Sequence, residues 1–256
     1  MKTFTILGTG WLGYSLACEL KDKYKVKVSI RDEEKRNQYN EDGLIPFFLN
    51  EENLDSLDDL LDTNYLFINF PPSKFKDYIS FLNKIYSHKK IANIEKIIFI
   101  SSTSIYPDLD LLFTEEFSSF DSNSKSPKVY DAEILVKDKT NIILRASGLM
   151  GYNRIAGKRS SGKIVNDKDI KVNYVHRDDV ISATIFLINN NKNGIFNLAV
   201  DKHPTKEEVY LHNAKKYGFK KSVFKDDKGL KNRIIDGSKL TNLGFNYKYS
   251  NPFYFI

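Results

Sequence analysis

Short apolar runs recur along the first half of the chain, and the segments between them have the spacing of helices. The runs fall at residues 4–7, 26–30, 46–49, 65–69, 97–100 and 142–144. Such alternation is typical of parallel strands joined by crossover helices. The runs are continuously apolar, as expected of strands whose two faces are both covered by helices. The pattern therefore predicts an α/β fold built on a doubly wound parallel sheet.

A glycine-rich turn follows the first predicted strand. Gly8, Gly10 and Gly13 form the pattern G-x-G-x-x-G at the head of an amphipathic stretch. In a Rossmann-type fold the first glycine permits a tight turn, the second lets the backbone approach a pyrophosphate, and the third allows close helix packing. The amides of Trp11 and Leu12, at the head of the predicted helix, are then expected to face the phosphates. The turn predicts a dinucleotide site.

The second predicted strand ends in a basic and an acidic residue, Arg31 and Asp32. An acid at this position accepts hydrogen bonds from the adenosine ribose of NAD, whereas a guanidinium pairs with the 2′-phosphate of NADP. Lys35 and Arg36 follow within one helical turn, and together with Arg31 they favour NADP. In the alternative, Asp32 binds the ribose of NAD and the three basic residues form a solvated surface.

The pattern loosens after residue 148 into a basic segment rich in glycine and serine, at 157–163, and regular elements then resume. The later predicted elements are a strand at 173–176, a helix at 180–188, a strand at 195–200 and a helix at about 205–217. We expect Asp178 or Asp179 to cap the first of these helices, and His176 to be hydrogen-bonded to the backbone at its entry.

Two domains are expected from this order of elements. Residues 1–150 would form an NAD(P)-binding Rossmann domain, to which 172–190 returns, and 151–256 would form a smaller α/β lobe for the substrate. The stretch between residues 107 and 127 is polar and rich in serine. It predicts either a loop over the site or a surface excursion.

Charge is distributed unevenly between the two halves. The net charge of the 256 residues is +6, but residues 1–150 carry 19 Lys and Arg against 23 Asp and Glu, and residues 151–256 carry 20 against 10. The lysine-rich stretch at 215–231 raises nucleic-acid binding as an alternative, but it contains no recognised nucleic-acid motif. We therefore expect an anionic small molecule, and no nucleic acid, as the partner of the basic half.

Neither a membrane segment nor a metal site is expected. No run of 18 or more apolar residues occurs, and the chain enters a strand at its start, so we expect a cytoplasmic protein without a membrane partner. Cys18 is the single cysteine and is predicted to be a small buried side chain. The four histidines are scattered, which predicts no metal site. Homodimer formation is left open.

Five segments in order along the chain carry a resemblance to a known family. They are residues 8–13, 69–73, 101–107, 144–151 and 173–179. Together they resemble the extended short-chain dehydrogenases, in particular the atypical members that are similar to NAD-dependent epimerases and dehydratases. The resemblance implies that the cofactor lies across the ends of the parallel strands and that the smaller lobe closes over the substrate. It also implies that Phe70, Pro71 and Pro72 line the adenosine side of the cofactor and that Ser101 lies beside the nicotinamide.

The resemblance implies a catalytic hydroxyl at Ser102, with Thr103 as the second choice, to hydrogen-bond the substrate oxygen. The family's acid/base is a tyrosine whose pKa is lowered by a lysine four residues later. Tyr130 is the one tyrosine in the right window, and Ile134 stands at the lysine position. The proton is then expected from Tyr130, from Lys125 or from water, unless Tyr130 is only a packed aromatic.

The resemblance implies that the segment after Gly151 lies over the substrate, and Ser147, just before that segment, is also a predicted substrate residue. Ser147 lies within the family-like stretch, and Arg154 and Arg159 follow it. Arginines grip phosphate or carboxylate through two hydrogen bonds at once, so this pair predicts a phosphorylated or carboxylated substrate. The alternative is a solvated loop whose charges only aid solubility.

Two functions follow from these patterns. The first is an NAD(P)(H)-dependent oxidoreductase or epimerase-like enzyme acting on a small anionic substrate, sugar-like or carbonyl, with NADP favoured as the cofactor. The second is an NADP-binding sensor or scaffold that keeps the cofactor cleft without catalysis, because the tyrosine–lysine pair is incomplete.

Overall fold

The computed structural model describes residues 1–118, 124–225, 229 and 231–255. The strands are β1 (Thr3–Leu7), β2 (Lys25–Ile30), β3 (Ile45–Phe48), β4 (Tyr65–Ile68), β5 (Lys96–Ser102), β6 (Leu112–Phe113), β7 (Ile142–Ala146), β8 (Gly148–Met150), β9 (Ile164–Val165), β10 (Tyr174–His176), β11 (Gly194–Leu198), β12 (Val223–Phe224) and β13 (Ile234–Ile235). The α-helices are α1 (Trp11–Leu20), α2 (Lys35–Glu41), α3 (Leu57–Leu61), α4 (Tyr78–Tyr86), α5 (Pro127–Val136), α6 (Arg177–Asn189), α7 (Lys206–Tyr217) and α8 (Ser238–Thr241).

The central sheet has seven strands in the order β11-β7-β5-β4-β1-β2-β3. β1 pairs in parallel with both β2 and β4, β2 with β3, and β4 with β5. The winding therefore reverses direction between β1 and β4, which is the switch point where doubly wound folds bind their ligands. This order confirms the predicted Rossmann-type doubly wound sheet, and all seven of its strands were predicted from apolar runs.

The chain separates into two compact units, each drawn from three stretches. The first is Met1–Ser101, Pro127–Leu144 and Leu187–Ile195, and the second is Ser102–Ser126, Arg145–Phe186 and Phe196–Ile256. The bounds of these compact units differ from those expected from the sequence. The expected domain boundary after residue 150 stays a prediction.

Large apolar side chains from strands and helices form the core of the first unit. Leu60 of α3, Phe81 and Ile85 of α4, and Leu66 and Phe99 of the sheet are at most 2% exposed. Because the strands contribute to the core along their whole length, their sequences are continuously apolar. The sheet edge that carries the glycine turn is thereby held by a packed scaffold.

Three short parallel strand pairs characterise the second unit: β8 with β10, β9 with β12 and β6 with β13. Its helix α7 begins at a capping box, in which Thr205 and Glu208 bond each other's backbone amides, and it ends at Gly218 in a left-handed conformation (φ 69°). The predicted helix at 205–217 is thus confirmed. The strands predicted at 173–176 and 195–200 are also present, as β10 and β11.

The predicted helix cap at Asp178 or Asp179 is wrong. α6 begins at Arg177, so both acids lie in its first turn. The Asp179 carboxylate instead accepts the backbone N–H groups of Lys248 (2.8 Å) and Tyr249 (3.0 Å). Its partners lie about seventy residues away along the chain, so no local sequence pattern could indicate these hydrogen bonds.

Several smaller expectations have mixed outcomes. Cys18 is half-buried rather than buried. The serine-rich stretch predicted as a loop contains β6, and its residues 119–123 lie outside the described part, as do 226–228 and 230 of the lysine-rich stretch. Among the described residues no helix is long and apolar enough to cross a membrane.

Candidate functional site

The turn after β1 requires a glycine at its first position for two independent reasons. Gly8 has a φ of 94°, in the region that side chains rarely adopt, and a Cβ there would overlap the backbone carbonyl of Asn69 after β4. The Gly8 N–H also donates to Ser29 Oγ of β2 (2.9 Å). The turn therefore contacts the two strands that flank β1.

The other two glycines of the turn have different surroundings. A Cβ at Gly13 would lie 2.5 Å from the Gly8 carbonyl oxygen and 3.1 Å from the Ile6 side chain, so α1 packs directly on the turn. A Cβ at Gly10 would meet no atom within 4 Å. The space at Gly10 is open, which fits its predicted role of letting a ligand approach the backbone. The first intrahelical bond of α1 runs from Tyr14 N–H to the Gly10 oxygen (2.8 Å), with Trp11 between them.

Arg31 lies over an aromatic surface at the end of β2. Its guanidinium carbon is 4.0 Å from the centre of the Phe75 ring and 5.9 Å from that of Phe70. One nitrogen donates to the Lys74 carbonyl oxygen (3.2 Å), and burial lowers the pKa of Arg31 while the Glu51 carboxylate raises it. The contact with the Phe75 ring and the bond to the Lys74 carbonyl position the guanidinium group, and its other N–H groups can donate to an anion.

The neighbouring charged residues are partly engaged with the protein itself. Asp32 accepts the backbone N–H of Glu34 (3.0 Å). Arg36 is paired with the Glu33 carboxylate (Nη2 to Oε1, 2.8 Å) and donates to the Pro46 carbonyl oxygen (2.8 Å). Of the three basic residues singled out in the sequence, Arg36 is therefore the one already held by an acid.

The segment after β4 lies beside the glycine turn. A Cβ built on Gly8 would lie 3.1 Å from the Phe70 ring. The Phe70 carbonyl oxygen accepts a hydrogen bond from the Tyr78 hydroxyl (3.1 Å). Pro72 begins a short 3-10 helix, and Pro71 precedes it as its N-cap residue. The carboxyl ends of β1, β2 and β4 thus bring together the glycine turn, Arg31 and Phe70.

A buried serine–glutamate pair ties β5 to α5. Ser101 Oγ donates to Glu133 Oε2 (2.7 Å), and the two residues are 5% and 4% exposed. The hydroxyl hydrogen of Ser101 is therefore used within the protein, and its partner was not predicted. Tyr130 lies one turn earlier on the same helix and is half-buried, whereas Ile134 is 45% exposed.

Ser102 and Thr103 begin a short 3-10 helix after β5. Ser102 is its N-cap, and Ser102 Oγ accepts the backbone N–H of Ser104 (3.1 Å). Because that contact uses an oxygen lone pair, the hydroxyl hydrogen of Ser102 is left for another acceptor. The Thr103 side chain is buried.

Tyr106, which sequence reasoning did not assign to the site, is the centre of a buried polar network in the second unit. Its hydroxyl accepts from Arg145 Nη1 (2.8 Å) and donates to Asn197 Oδ1 (2.8 Å) or the Thr114 carbonyl oxygen (3.0 Å). Burial raises the pKa of Tyr106 to about 12. The phenol is therefore a neutral hydrogen-bonding group at neutral pH. Tyr106 lies within the family-like motif of residues 101–107, and that motif is the sequence feature that could have identified it.

The residues predicted to face the substrate lie after β7 in the second unit. Ser147 is buried, and its hydroxyl has no hydrogen-bond partner among the described residues. Gly151 and Arg154 exchange two backbone hydrogen bonds (3.0 and 3.1 Å), which close a tight turn. Burial lowers the pKa of Arg154, and the charge of Arg159 lowers it further, so the two guanidinium groups lie within electrostatic reach.

His176 has the structural role predicted for it. Its Nδ1 accepts the backbone N–H of Asp178 (3.2 Å), and its fully buried ring lies 3.7 Å from that of Tyr249. Within the described ranges no group of three or more His, Cys, Asp or Glu side chains is placed to hold a metal ion.

A relative of similar length decides the family. No protein-family model matches the chain. Protein YeeZ of Escherichia coli K12 is 30% identical over 275 aligned positions, which cover 98% of each chain. The chain belongs to the YeeZ family.

Solved structures with the fold of this YeeZ-family chain include nucleotide-sugar enzymes. UDP-N-acetylglucosamine 4-epimerase from Methanobrevibacter ruminantium M1, in complex with UDP-N-acetylmuramic acid, superposes with a TM-score of 0.81 at 19% identity, over 98% of this chain and 94% of that one. dTDP-glucose 4,6-dehydratase from Bacillus anthracis str. Ames, in complex with NAD, gives a TM-score of 0.73 at 18% identity, over 99% and 94%. These matches confirm the predicted Rossmann-type α/β fold, which these solved structures share.

Proposed function

We propose that this YeeZ-family chain is an NAD(P)(H)-dependent epimerase-like enzyme or oxidoreductase that acts on a small anionic substrate, sugar-like or carbonyl. The glycine turn at the switch point between β1 and β4 carries the proposal. Gly8 and Gly13 are fixed by close contacts, whereas the space at Gly10 is open to a ligand. One solved structure of the same fold contains a UDP-linked sugar and another contains NAD. These ligands support a nicotinamide cofactor and a sugar-like substrate for this chain.

The residues of the turn fit a dinucleotide. The amides of Trp11 and Leu12, at the positive end of α1, would hold the pyrophosphate beside Gly10. Phe70 together with the two prolines that follow it would line the adenosine side, and Ser101 would lie near the nicotinamide. We propose NADP as the preferred cofactor, because the stacked Arg31 retains donors for a 2′-phosphate. In the alternative, Asp32 binds the ribose of NAD.

The chemistry would combine hydride transfer with proton transfer. A nicotinamide supplies the hydride acceptor or donor when it is bound. The free hydroxyl hydrogen of Ser102 would donate to the substrate oxygen whose charge changes, and Thr103 is the second choice. Tyr130, Lys125 or water would carry the proton. Ile134 occupies the lysine position of the family motif, so Tyr130 lacks that source of activation.

The second unit would hold the anionic part of the substrate. Arg154 and Arg159 lie within electrostatic reach of each other, and an anion would relieve their repulsion. The buried hydroxyl of Ser147, which has no partner in the described chain, would also hydrogen-bond the substrate.

A cofactor-binding sensor or scaffold without catalysis is the second candidate function. The exposed Ile134 at the lysine position favours it, because the lysine that activates the tyrosine in the family motif is absent from that position.

A single-turnover experiment separates the two functions. Protein loaded with NADP⁺ is mixed with sugar phosphates and nucleotide sugars, whose hydroxyl-bearing carbons can donate a hydride. Protein loaded with NADPH is mixed with simple carbonyls, which can accept one, and the absorbance of the reduced nicotinamide is followed in both cases. An enzyme changes that absorbance with at least one compound, and Ser102→Ala slows the change while the cofactor still binds. Ser104→Ala serves as the matched control. Cofactor binding with no absorbance change for any compound would favour the sensor, and failure to bind either cofactor would contradict both functions.

A further inference from the structure

A cavity lies in the first unit, at the opposite edge of the sheet from the glycine turn. Its volume is about 490 Å³, and Ile97 at the amino end of β5 lines it. β5 runs parallel to β4, and β4 to β1, so the amino end of β5 is remote from the carboxyl end of β1, where Gly8 lies. This volume is within the range of small-molecule sites, roughly 300 to 1,000 Å³. The cavity is thus large enough for a ligand of its own.

One side of the cavity is apolar. Ile91, Ile94 and Ile97 line it and are themselves at most 9% exposed. They belong to the packed core of the first unit, so this surface is held in place. An apolar ligand body placed against it would lose water-exposed area without moving the protein.

The polar side of the cavity consists mainly of hydrogen-bond donors. Lys139 Nζ donates to the carbonyl oxygen of Tyr86 (3.0 Å), which leaves two of its three N–H groups. Asn141 Oδ1 accepts the backbone N–H of Ile97 (2.7 Å), which leaves the amide nitrogen with its two donors. The hydroxyl hydrogen of Thr140 is already used by the Val136 carbonyl oxygen (2.8 Å).

The charged groups around the cavity favour an anion. Lys89 and Lys139 line it together with a single acid, Asp138. His88 also lines it; its Nδ1 accepts the backbone N–H of Lys90 (3.3 Å), and its Nε2 lies 3.6 Å from the Asp58 carboxylate. The net charge of the lining is therefore positive, whereas the surface behind it is apolar.

We propose that this cavity binds a small organic anion with an apolar body, such as an aromatic or branched carboxylate. The carboxylate accepts from Lys139 and Asn141, and the apolar body covers the three isoleucines. The proposal is independent of the glycine turn and of the reaction proposed there.

Three probes with the same phenylpropyl body and different head groups test the choice of charge. They are 3-phenylpropionate, its uncharged amide and 3-phenylpropylamine, and binding is followed by chemical-shift titration of the whole protein. The acid is expected to bind about fivefold more tightly than the amide, the effect of a partly exposed ion pair, and the amine most weakly. Equal binding of acid and amide, tighter binding of the amine, or no binding of any probe would overturn the proposal.

Paired variants locate the probe. Lys139→Ala should weaken the binding of 3-phenylpropionate about fivefold, whereas Lys137→Ala, on the same short helix but outside the cavity, should not change it. Ala92→Trp should block the cavity, and Asn93→Trp, also exposed but outside the lining, should not. Thermal unfolding of each variant checks that the fold is kept. Unchanged binding by both Lys139→Ala and Ala92→Trp would place the probe elsewhere and overturn the assignment.

Discussion

The hydroxyl of Tyr106 joins separate segments of the second unit through buried hydrogen bonds. This hydroxyl forms hydrogen bonds with Arg145, near the end of β7, and with Asn197 in β11. Tyr106 itself lies one residue before the serine-rich stretch. Buried polar groups are costly when a partner is lost, so a network of this kind fixes one arrangement of the backbone. Ser102 is only four residues away along the chain, and its position depends on that arrangement.

Tyr106→Phe should lower the free energy of unfolding by about 1–3 kcal/mol, because the ring still fits while Arg145 and Asn197 lose a buried partner. Urea denaturation measures the change. Tyr254→Phe is the matched control, since Tyr254 is 68% exposed. Equal free energies of unfolding for Tyr106→Phe and Tyr254→Phe would contradict a stabilising role of the network.

Arg31 determines the preference between cofactors in this account. Arg31→Ala should reduce the ratio of NADP(H) to NAD(H) affinity about tenfold, because a charge-assisted contact with the 2′-phosphate is lost. Titration calorimetry with both reduced cofactors measures the ratio, and Lys23→Ala is the control at an exposed lysine that is not assigned to the site. Equal affinities in the unchanged protein would instead assign Asp32 to the free ribose of NAD.

At the scale of elements, the turn between β1 and α1 shows which features were predictable. The glycine spacing predicted the turn, and apolar runs predicted the strands around it, because both are local patterns. The start of α6 was misplaced because the partners of Asp179 belong to a distant segment. The bond from Ser101 to Glu133 was missed for the same reason: it joins residues 32 positions apart. Pairings between distant side chains depend on the assembled fold.

Two glycines with similar backbone angles separate strain from steric overlap. Gly8→Ala should destabilise the fold by more than Gly43→Ala, although both residues have a positive φ, 94° and 80°. A Cβ at Gly43 meets nothing within 4 Å and costs only the strain, about 1–2 kcal/mol, whereas one at Gly8 also displaces the Asn69 carbonyl. Urea denaturation of both variants makes the comparison. A Gly8→Ala variant no less stable than Gly43→Ala would contradict the close packing of the turn.

At the scale of the whole molecule, the chain combines two compact units, and its positive net charge comes from residues 151–256. The sequence predicted the glycine turn after β1 and the basic second half, because both are visible in residue types and spacing. The proton donor could not be identified, since the family's tyrosine–lysine pair is incomplete and an acid/base is recognised by its surroundings rather than by residue type. The cofactor site is therefore the part of the account that is best defined.

Dinucleotide binding by a Gly10→Val variant is the most direct test of the central claim. The side chain of valine would enter open space in the free protein, so the fold should remain, but it would occupy the place where a pyrophosphate approaches the backbone. Titration calorimetry should show binding of NADPH to the unchanged protein and none to the variant, while urea denaturation gives similar stability for both. Unchanged NADPH binding by Gly10→Val, or no binding by the unchanged protein, would contradict the assignment of this turn as a cofactor site.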